Sequence, residues 1–157
     1  MMELLAALEV SAFATWVREA STIWAYPTIL TLHTVGLGVL VGANAAFDLR
    51  VLGFGRQIPL APIEWLFPAM WVGFWLNAIT GAMLFSADPI EKGTTALFMV
   101  KLSIVMVGVV LIPLLRRAVY SRRCAALAVT PLAKTFAAVS LVVWVAATVT
   151  GRWMAYW

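Results

Sequence analysis

Long uncharged stretches of apolar residues alternate with short charged segments along the chain. They cover residues 20–47, 65–87, 93–115 and 135–151, and the third contains a single charge at Lys101. Each is close to the roughly 20 residues that a helix needs to cross a hydrocarbon core about 30 Å thick. None shows the period-two alternation of β-strands, and an open sheet leaves backbone groups unsatisfied in lipid. The pattern therefore predicts four transmembrane helices.

The predicted fold is all-α, an integral membrane four-helix bundle with an amphipathic interfacial helix at the N-terminus. A single membrane domain covers residues 1–157, with the interfacial helix at 2–20 and transmembrane helices at 22–47, 64–87, 94–116 and 134–156. On a helix, residues 2–20 place Leu5, Ala12, Phe13, Trp16 and Val17 on one side, opposite Glu3, Ser11, Arg18 and Glu19. Such a segment lies on a membrane surface. It lacks the basic region and apolar centre of a secretory signal.

Composition agrees with a membrane protein. The chain is 64% hydrophobic and 11% charged, whereas soluble domains are about 45–50% apolar and about 25% charged. The net charge of +4 is concentrated mostly in one loop, as membrane topology requires, so we expect no nucleic-acid partner. Cys124 is the single cysteine, which excludes a disulfide within the chain.

Lysine and arginine residues are distributed unequally between the two sides of the predicted bundle. Seven lie in the loops after the first and third helices, at Arg50, Arg56, Arg116, Arg117, Arg122, Arg123 and Lys134. Three lie on the other side, at Arg18, Lys92 and Arg152. Because cytoplasmic loops carry the excess of basic residues, both termini are predicted to lie on the outer side of the membrane.

Small residues predict where the helices approach one another. Gly38 and Gly42 form a Gly-x-x-x-Gly pair on the first transmembrane helix, and Gly73, Asn77 and Gly81 follow one another at four-residue spacing on the second. Both patterns allow close backbone approach, and Asn77 is able to hydrogen-bond across helices.

His33 is the only histidine, and it lies near the centre of the first uncharged stretch. An ionisable side chain in a membrane span is by default a functional-site hypothesis. Tyr26, His33 and Asn44 project from one helix face, because separations of 7 and 11 residues return to within about 20° of the same direction. We expect this face to look into the bundle. Asp88, Lys101 and Arg152 are expected in the same outer half as His33.

Three roles are open for His33. The first is a hydrogen bond to a neighbouring helix. The second is axial ligation of haem b, with Lys101 and Arg152 holding propionates. A second iron ligand then has to come from another subunit's His33 or from a methionine, and the candidates are Met70, Met83, Met99 and Met106. The third role is a hydrogen bond or proton transfer to a quinone.

Because these three roles remain open, the sequence leaves the cofactor unknown. The candidate cofactor-binding residues are His33, Tyr26, Asn44, Lys101 and Arg152, and His33 is also the candidate metal ligand. Covalent c-type haem is excluded because the chain has no Cys-x-x-Cys-His. Zinc is not expected, since the sequence has no histidine or cysteine cluster.

Charged residues after the first uncharged stretch predict a structural turn. Asp48 and Arg50 are expected to pair with Arg56 or Glu64 there. The basic cluster 116–123 is expected to sit on anionic lipid headgroups, at about 1 kcal/mol per basic residue.

Several short motifs together resemble a bacterial family of uncharacterised four-helix membrane proteins. They are Tyr26-Pro27, Leu32-His33, Val41-Gly42, Asp48-Leu49-Arg50 with Leu52-Gly53, Val100-Lys101-Leu102 and Gly151-Arg152-Trp153. The resemblance covers nearly the whole chain and implies four helices in a bacterial cytoplasmic (inner) membrane, in which both termini are expected to be periplasmic. It places His33, Asp48, Arg50, Lys101 and Arg152 among the family's pattern positions, and it implies no activity. A looser likeness to four-helix b-type cytochromes and copper-resistance membrane domains concerns architecture, which does not determine function.

Three functions follow as hypotheses. The first is a non-catalytic accessory subunit that contacts membrane lipids and either a partner membrane protein or further copies of itself. The second is a small redox or electron-transfer protein that binds haem b or quinone near His33. The third is an oligomeric transport or ion-pathway element. An enzyme is not the expectation, because the chain has no Walker loop, no Ser-His-Asp spacing and no paired carboxylates at catalytic spacing.

Overall fold

The computed structural model describes residues 2–120 and 129–154, and these residues are helical throughout apart from short connections. The helices are α1 (Met2–Glu9), α2 (Ala12–Glu19), α3 (Tyr26–Leu52), α4 (Leu66–Ala87), α5 (Pro89–Thr94), α6 (Ala96–Tyr120) and α7 (Pro131–Trp153), with a short 3₁₀-helix at Ala61–Trp65 before α4. Four of them, α3, α4, α6 and α7, are long and apolar enough to cross a membrane. The all-α four-helix bundle of a multi-pass membrane protein is therefore confirmed.

The four long helices are arranged in the order α4, α3, α7, α6. Helix α3 packs against both α4 and α7, and α6 packs against α7. Ile29, near the start of α3, packs with Ala87 at the end of α4, whereas Phe47 near the end of α3 contacts Phe67 at the start of α4. Neighbouring helices thus run in opposite directions. We call the end where α3 begins and α7 ends the upper end, and the opposite end the lower end.

Helix α3 is longer at its lower end than the uncharged stretch predicts. It continues past Phe47 to Leu52 and ends where Gly53 adopts φ 115°, with the Gly53 N–H donating to the carbonyls of Leu49 and Arg50. Glycine takes this left-handed conformation without the steric penalty of a Cβ. Asp48 therefore lies within α3. The prediction that it belongs to a turn after the helix is wrong.

The N-terminal segment forms two short helices where the sequence predicts one. The chain breaks at Ser11, whose hydroxyl accepts from the Ala14 N–H at 3.2 Å and caps α2. Ala14 and Val17 are completely buried, and Val17 packs against the upper ends of α3 and α4. On the predicted apolar side, Val17 therefore faces protein, whereas Ala12, Phe13 and Trp16 are exposed.

The core is concentrated in the middle and lower parts of the bundle. Leu40, Met70, Ile112 and Trp144 are almost fully buried and belong to one cluster. Below them, Phe47 and Phe67 meet edge to face with ring centroids 4.7 Å apart, an arrangement that aromatic quadrupoles favour. The upper half thus contains fewer large buried apolar side chains.

Helices α3 and α4 touch backbone to backbone at Gly36 and Gly73. A Cβ added at Gly73 would lie 2.7 Å from the Leu40 nitrogen and 2.9 Å from the Gly36 carbonyl oxygen. The prediction of close approach is confirmed for Gly73. Within the chain it is wrong for Gly38 and Gly42, where an added Cβ meets nothing within 4 Å, because the face of α3 that packs on α4 contains Gly36 and Leu40.

Candidate functional site

His33 is tied to α4 by a reciprocal pair of hydrogen bonds with Asn77. The Asn77 side-chain amide donates to the His33 carbonyl oxygen at 2.8 Å. In return the His33 Nδ1 lies 3.0 Å from the Asn77 carbonyl oxygen. The predicted hydrogen bond across helices from Asn77 is thus present, and the imidazole is held in one orientation.

The neighbours of Nδ1 determine which nitrogen of His33 carries the proton. Nδ1 also lies 3.1 Å from the Thr80 hydroxyl oxygen, and that hydroxyl donates to the Leu76 carbonyl at 2.6 Å. Both groups around Nδ1 therefore act as acceptors, so Nδ1 must be the N–H donor. In the neutral ring this leaves the lone pair on Nε2, which has no hydrogen-bond partner among residues 2–120 and 129–154.

Gly81 provides the space in which the imidazole ring lies against α4. A Cβ at Gly81 would be 3.1 Å from His33 Cε1 and 3.5 Å from Nδ1. The predicted small-residue stripe on α4 therefore has two separate uses. Gly73 admits the backbone of α3, and Gly81 admits the His33 ring.

Lys101 is the charged side chain whose field acts on His33. Its aliphatic end packs on α7, since a Cβ at Gly151 would lie 3.4 Å from Lys101 Cε and 3.6 Å from Nζ. The side chain is half-buried, and none of the ion pairs within the described chain includes it. Asp88, which the sequence places in the same outer half, pairs with Lys92 at 3.2 Å.

The other candidate residues lie apart from this pair. Tyr26 is 43% exposed at the first position of α3, above the neighbouring helices, so the predicted inward face does not extend to it. Asn44 is buried, and its amide donates to the Leu40 carbonyl at 3.0 Å within α3. Arg152 is exposed near the end of α7. His33 and Lys101 are thus the two partly buried ionisable candidates in the upper half of the bundle.

The candidate second iron ligands differ in their surroundings. Met70 is completely buried in the core cluster, and Met83 packs against the cluster of Val17, Ile29 and Ala87. Met99 and Met106 are 52% and 60% exposed. Of the residues that the structure describes, no three His, Cys, Asp or Glu side chains gather as a metal site.

Asp48 is the buried polar residue that sequence reasoning placed wrongly. The sequence predicts it in a turn with Arg50, Arg56 or Glu64, whereas it is completely buried, and neither carboxyl oxygen has a hydrogen-bond partner among the described residues. Arg50 instead donates to the carbonyls of Ile58 and Arg56. Glu64 pairs with Arg116 at 2.8 Å. The four-residue spacing from Asn44 to Asp48 was the available signal, because it puts both on one helix face.

Comparison with family models, with curated proteins and with solved structures gives no match to the chain. Cys124, Arg122 and Arg123 lie outside the described residues.

Proposed function

We propose that this protein is a non-catalytic membrane subunit that binds the head group of a lipid-soluble quinone between His33 and Lys101. The observation that carries the proposal is the pair of unsatisfied polar atoms in the upper half of the bundle. The Nε2 of His33 is an open acceptor, and the Lys101 ammonium is a donor with no acidic partner among the described residues.

Quinone chemistry matches this pair in both redox states. A quinone carbonyl oxygen accepts from an ammonium, and a quinol hydroxyl donates to a neutral imidazole nitrogen. A lysine placed within a membrane span costs about 2.5–3.5 kcal/mol, and a strong oxygen acceptor recovers part of that cost. Apolar helices around the site suit a ligand that arrives from the lipid phase.

The site lies in the outer half of the membrane if the basic loops are cytoplasmic. On that topology the upper end faces the periplasm of a bacterial cell, and both chain termini lie on the same side. The ligand is then exchanged with the outer leaflet. A partner membrane protein, or further copies of this chain, would use the quinone that the subunit holds.

Haem b is the second candidate because of one specific observation. A metal-bound imidazole commonly donates its other ring N–H to a backbone carbonyl, and His33 Nδ1 makes this contact with Asn77. A second copy of the chain would supply the second histidine. A visible spectrum of the purified protein, oxidised and dithionite-reduced, decides between haem and quinone.

The test is a titration of the full chain in mild detergent with a short-chain ubiquinone analogue, followed by quenching of tryptophan fluorescence. We expect Lys101→Met to raise the dissociation constant by about 10- to 100-fold, since a hydrogen bond to a charged group contributes about 1.5–3 kcal/mol. His33→Asn is expected to weaken binding of the reduced analogue. Its amide keeps a donor at the position of Nδ1 and removes the acceptor at Nε2.

Lys92→Met is the matched control, because Lys92 is an upper-end lysine already paired with Asp88. It should bind the analogue as the wild-type protein does. Unchanged affinity in both Lys101→Met and His33→Asn would sink the quinone proposal. A Soret band that disappears in His33→Ala would replace it with the haem candidate.

A further inference from the structure

A second polar site lies in the lower half of the bundle, between α3 and α7. Asp48 is 0% exposed, and neither of its carboxyl oxygens has a hydrogen-bond partner within the described chain. A buried charge without a partner costs several kcal/mol, so some group has to compensate this carboxylate. Within residues 2–120 and 129–154, no basic side chain forms an ion pair with it.

Two further oxygen-bearing side chains accompany Asp48. Asn44 is 1% exposed and lies one turn above it on the same face of α3. The Asn44 amide nitrogen donates to the Leu40 carbonyl, which leaves the Oδ1 atom buried and unpartnered. Ser140, 1% exposed on α7, lies beside Asp48. The site therefore offers carboxyl, amide and hydroxyl oxygens from two packed helices.

The described basic residues near the lower end form no ion pair with Asp48. Arg50 of α3 donates to loop carbonyls, and Arg116 of α6 pairs with Glu64, next to α4. Lys134 of α7 and Arg117 of α6 are exposed, and the Tyr120 hydroxyl donates to the Leu60 carbonyl at 2.6 Å. None of the three ion pairs in the described residues includes Asp48.

The position of Asp48 near the C-terminal end of α3 makes its negative charge more unfavourable. It lies four residues before the end of the helix at Leu52, where the unpaired carbonyls carry partial negative charge. A carboxylate is unfavourable at that end of a helix, and a cation is favourable.

We propose that Asp48, Asn44 and Ser140 form an internal site for one monovalent cation, either Na⁺ or a proton. One positive charge neutralises the single carboxylate, whereas a divalent ion would leave a net charge in a medium of low dielectric constant. Oxygen donors suit a hard cation, and each of them also accepts a hydrogen bond from a protonated carboxyl or hydronium. The site is independent of the His33–Lys101 pair, which lies about 22 Å away along α3 at 1.5 Å per residue.

The test is the midpoint of thermal unfolding of the full chain in detergent. In one series, NaCl replaces choline chloride stepwise at constant ionic strength and fixed pH. In a second series, the pH is lowered in choline chloride without sodium. A cation that binds the folded state raises the midpoint as its concentration rises. Wild-type protein is expected to gain stability with sodium if Na⁺ occupies the site, and with falling pH alone if a proton does.

Asp48→Asn keeps the shape of the side chain and removes its charge. The increase in the unfolding midpoint with cation concentration should therefore be lost. Asp88→Asn makes the same change at a half-exposed position and should respond as wild type does. Ser140→Ala retains the carboxylate and loses one oxygen donor. It is expected to shift the response to about tenfold higher cation concentration, the effect of losing one interaction of about 1.4 kcal/mol.

A difference between wild type and Asp48→Asn in the sodium series supports Na⁺, and a difference in the pH series alone supports the proton. Identical responses of the two proteins in both series overturn the proposal. If Asp48→Asn does not fold, Ser140→Ala decides, because an unshifted response in that variant also contradicts the site. Quinone binding at His33 and Lys101 is unaffected by either result, so failure of one site leaves the other standing.

Discussion

Replacing Trp144 by alanine is expected to lower the free energy of unfolding by about 3–5 kcal/mol, the range for truncating a buried aromatic side chain. Trp144 is 2% exposed at the centre of the bundle. Its ring lies directly over Gly108 of α6, where an added Cβ would be 2.9 Å from Cζ2. The side chain thus fills the space between α7 and α6. The measurement is reversible unfolding in mixed detergent micelles by titration with sodium dodecyl sulfate, followed by far-ultraviolet circular dichroism.

Trp75→Ala is the control for Trp144→Ala, because Trp75 is 59% exposed on the surface of α4. Its loss should change the unfolding free energy by less than about 1 kcal/mol, as for a surface substitution. Trp144→Phe should be intermediate, since it keeps an aromatic ring and removes a buried indole N–H that has no partner. Equal effects of Trp144→Ala and Trp75→Ala would show that Trp144 is not a central packing residue.

Replacing Gly73 by alanine is expected to destabilise the fold by about 1–3 kcal/mol, the cost of overpacking a tight contact. The added methyl would lie 2.7 Å from a backbone nitrogen of α3 and 2.9 Å from a backbone oxygen, and neither atom is able to rotate away. Helices α3 and α4 must separate, which stretches the two hydrogen bonds between His33 and Asn77. The same detergent titration measures the loss, and quinone affinity should fall with it.

Gly38→Ala and Gly42→Ala provide matched controls on α3. Each adds the same methyl where nothing lies within 4 Å, and each should stabilise the helix slightly, by up to about 1 kcal/mol, because alanine has the higher helix propensity. If these controls lose as much stability as Gly73→Ala, the close approach is not at Gly36 and Gly73. A loss confined to the controls would indicate instead that they form a contact between copies of the chain.

The two polar sites lie in opposite halves of one bundle and share α3. His33 and Lys101 are proposed to bind a quinone head group near the upper end, and Asp48 is proposed to bind a cation near the lower end. Both proposals have the same physical basis. A polar or charged group in an apolar membrane span is costly unless it is satisfied, and each proposal supplies a partner for such groups.

The sequence predicted the four long helices correctly because membrane thickness sets the length of an uncharged stretch. It predicted their ends less well, because ends depend on local capping. Gly53 extends α3 to Leu52, and Ser11 divides the N-terminal segment into two helices. These capping residues are visible in the sequence, although the charge pattern of membrane spans does not point to them.

The candidate site was predictable in part. His33 is notable in the sequence because it is the only histidine, and a charge at Lys101 inside a span is unusual for the same energetic reason. Tyr26 and Arg152 were grouped with them by helix position alone. The structure leaves both exposed, because they lie at helix ends where no neighbouring helix covers them.

Sequence by itself determined the all-α class, the number of membrane-crossing helices and the presence of an ionisable histidine within one of them. Each follows from the cost of exposing backbone or charge to lipid, which depends on residue type and local order along the chain. Only the tertiary structure decided that Gly36 and Gly73 carry the close contact, that Nε2 of His33 is the open nitrogen, and that Asp48 faces α7 instead of solvent. These depend on how the helices are rotated against one another, and side-chain packing between distant parts of the chain sets that rotation.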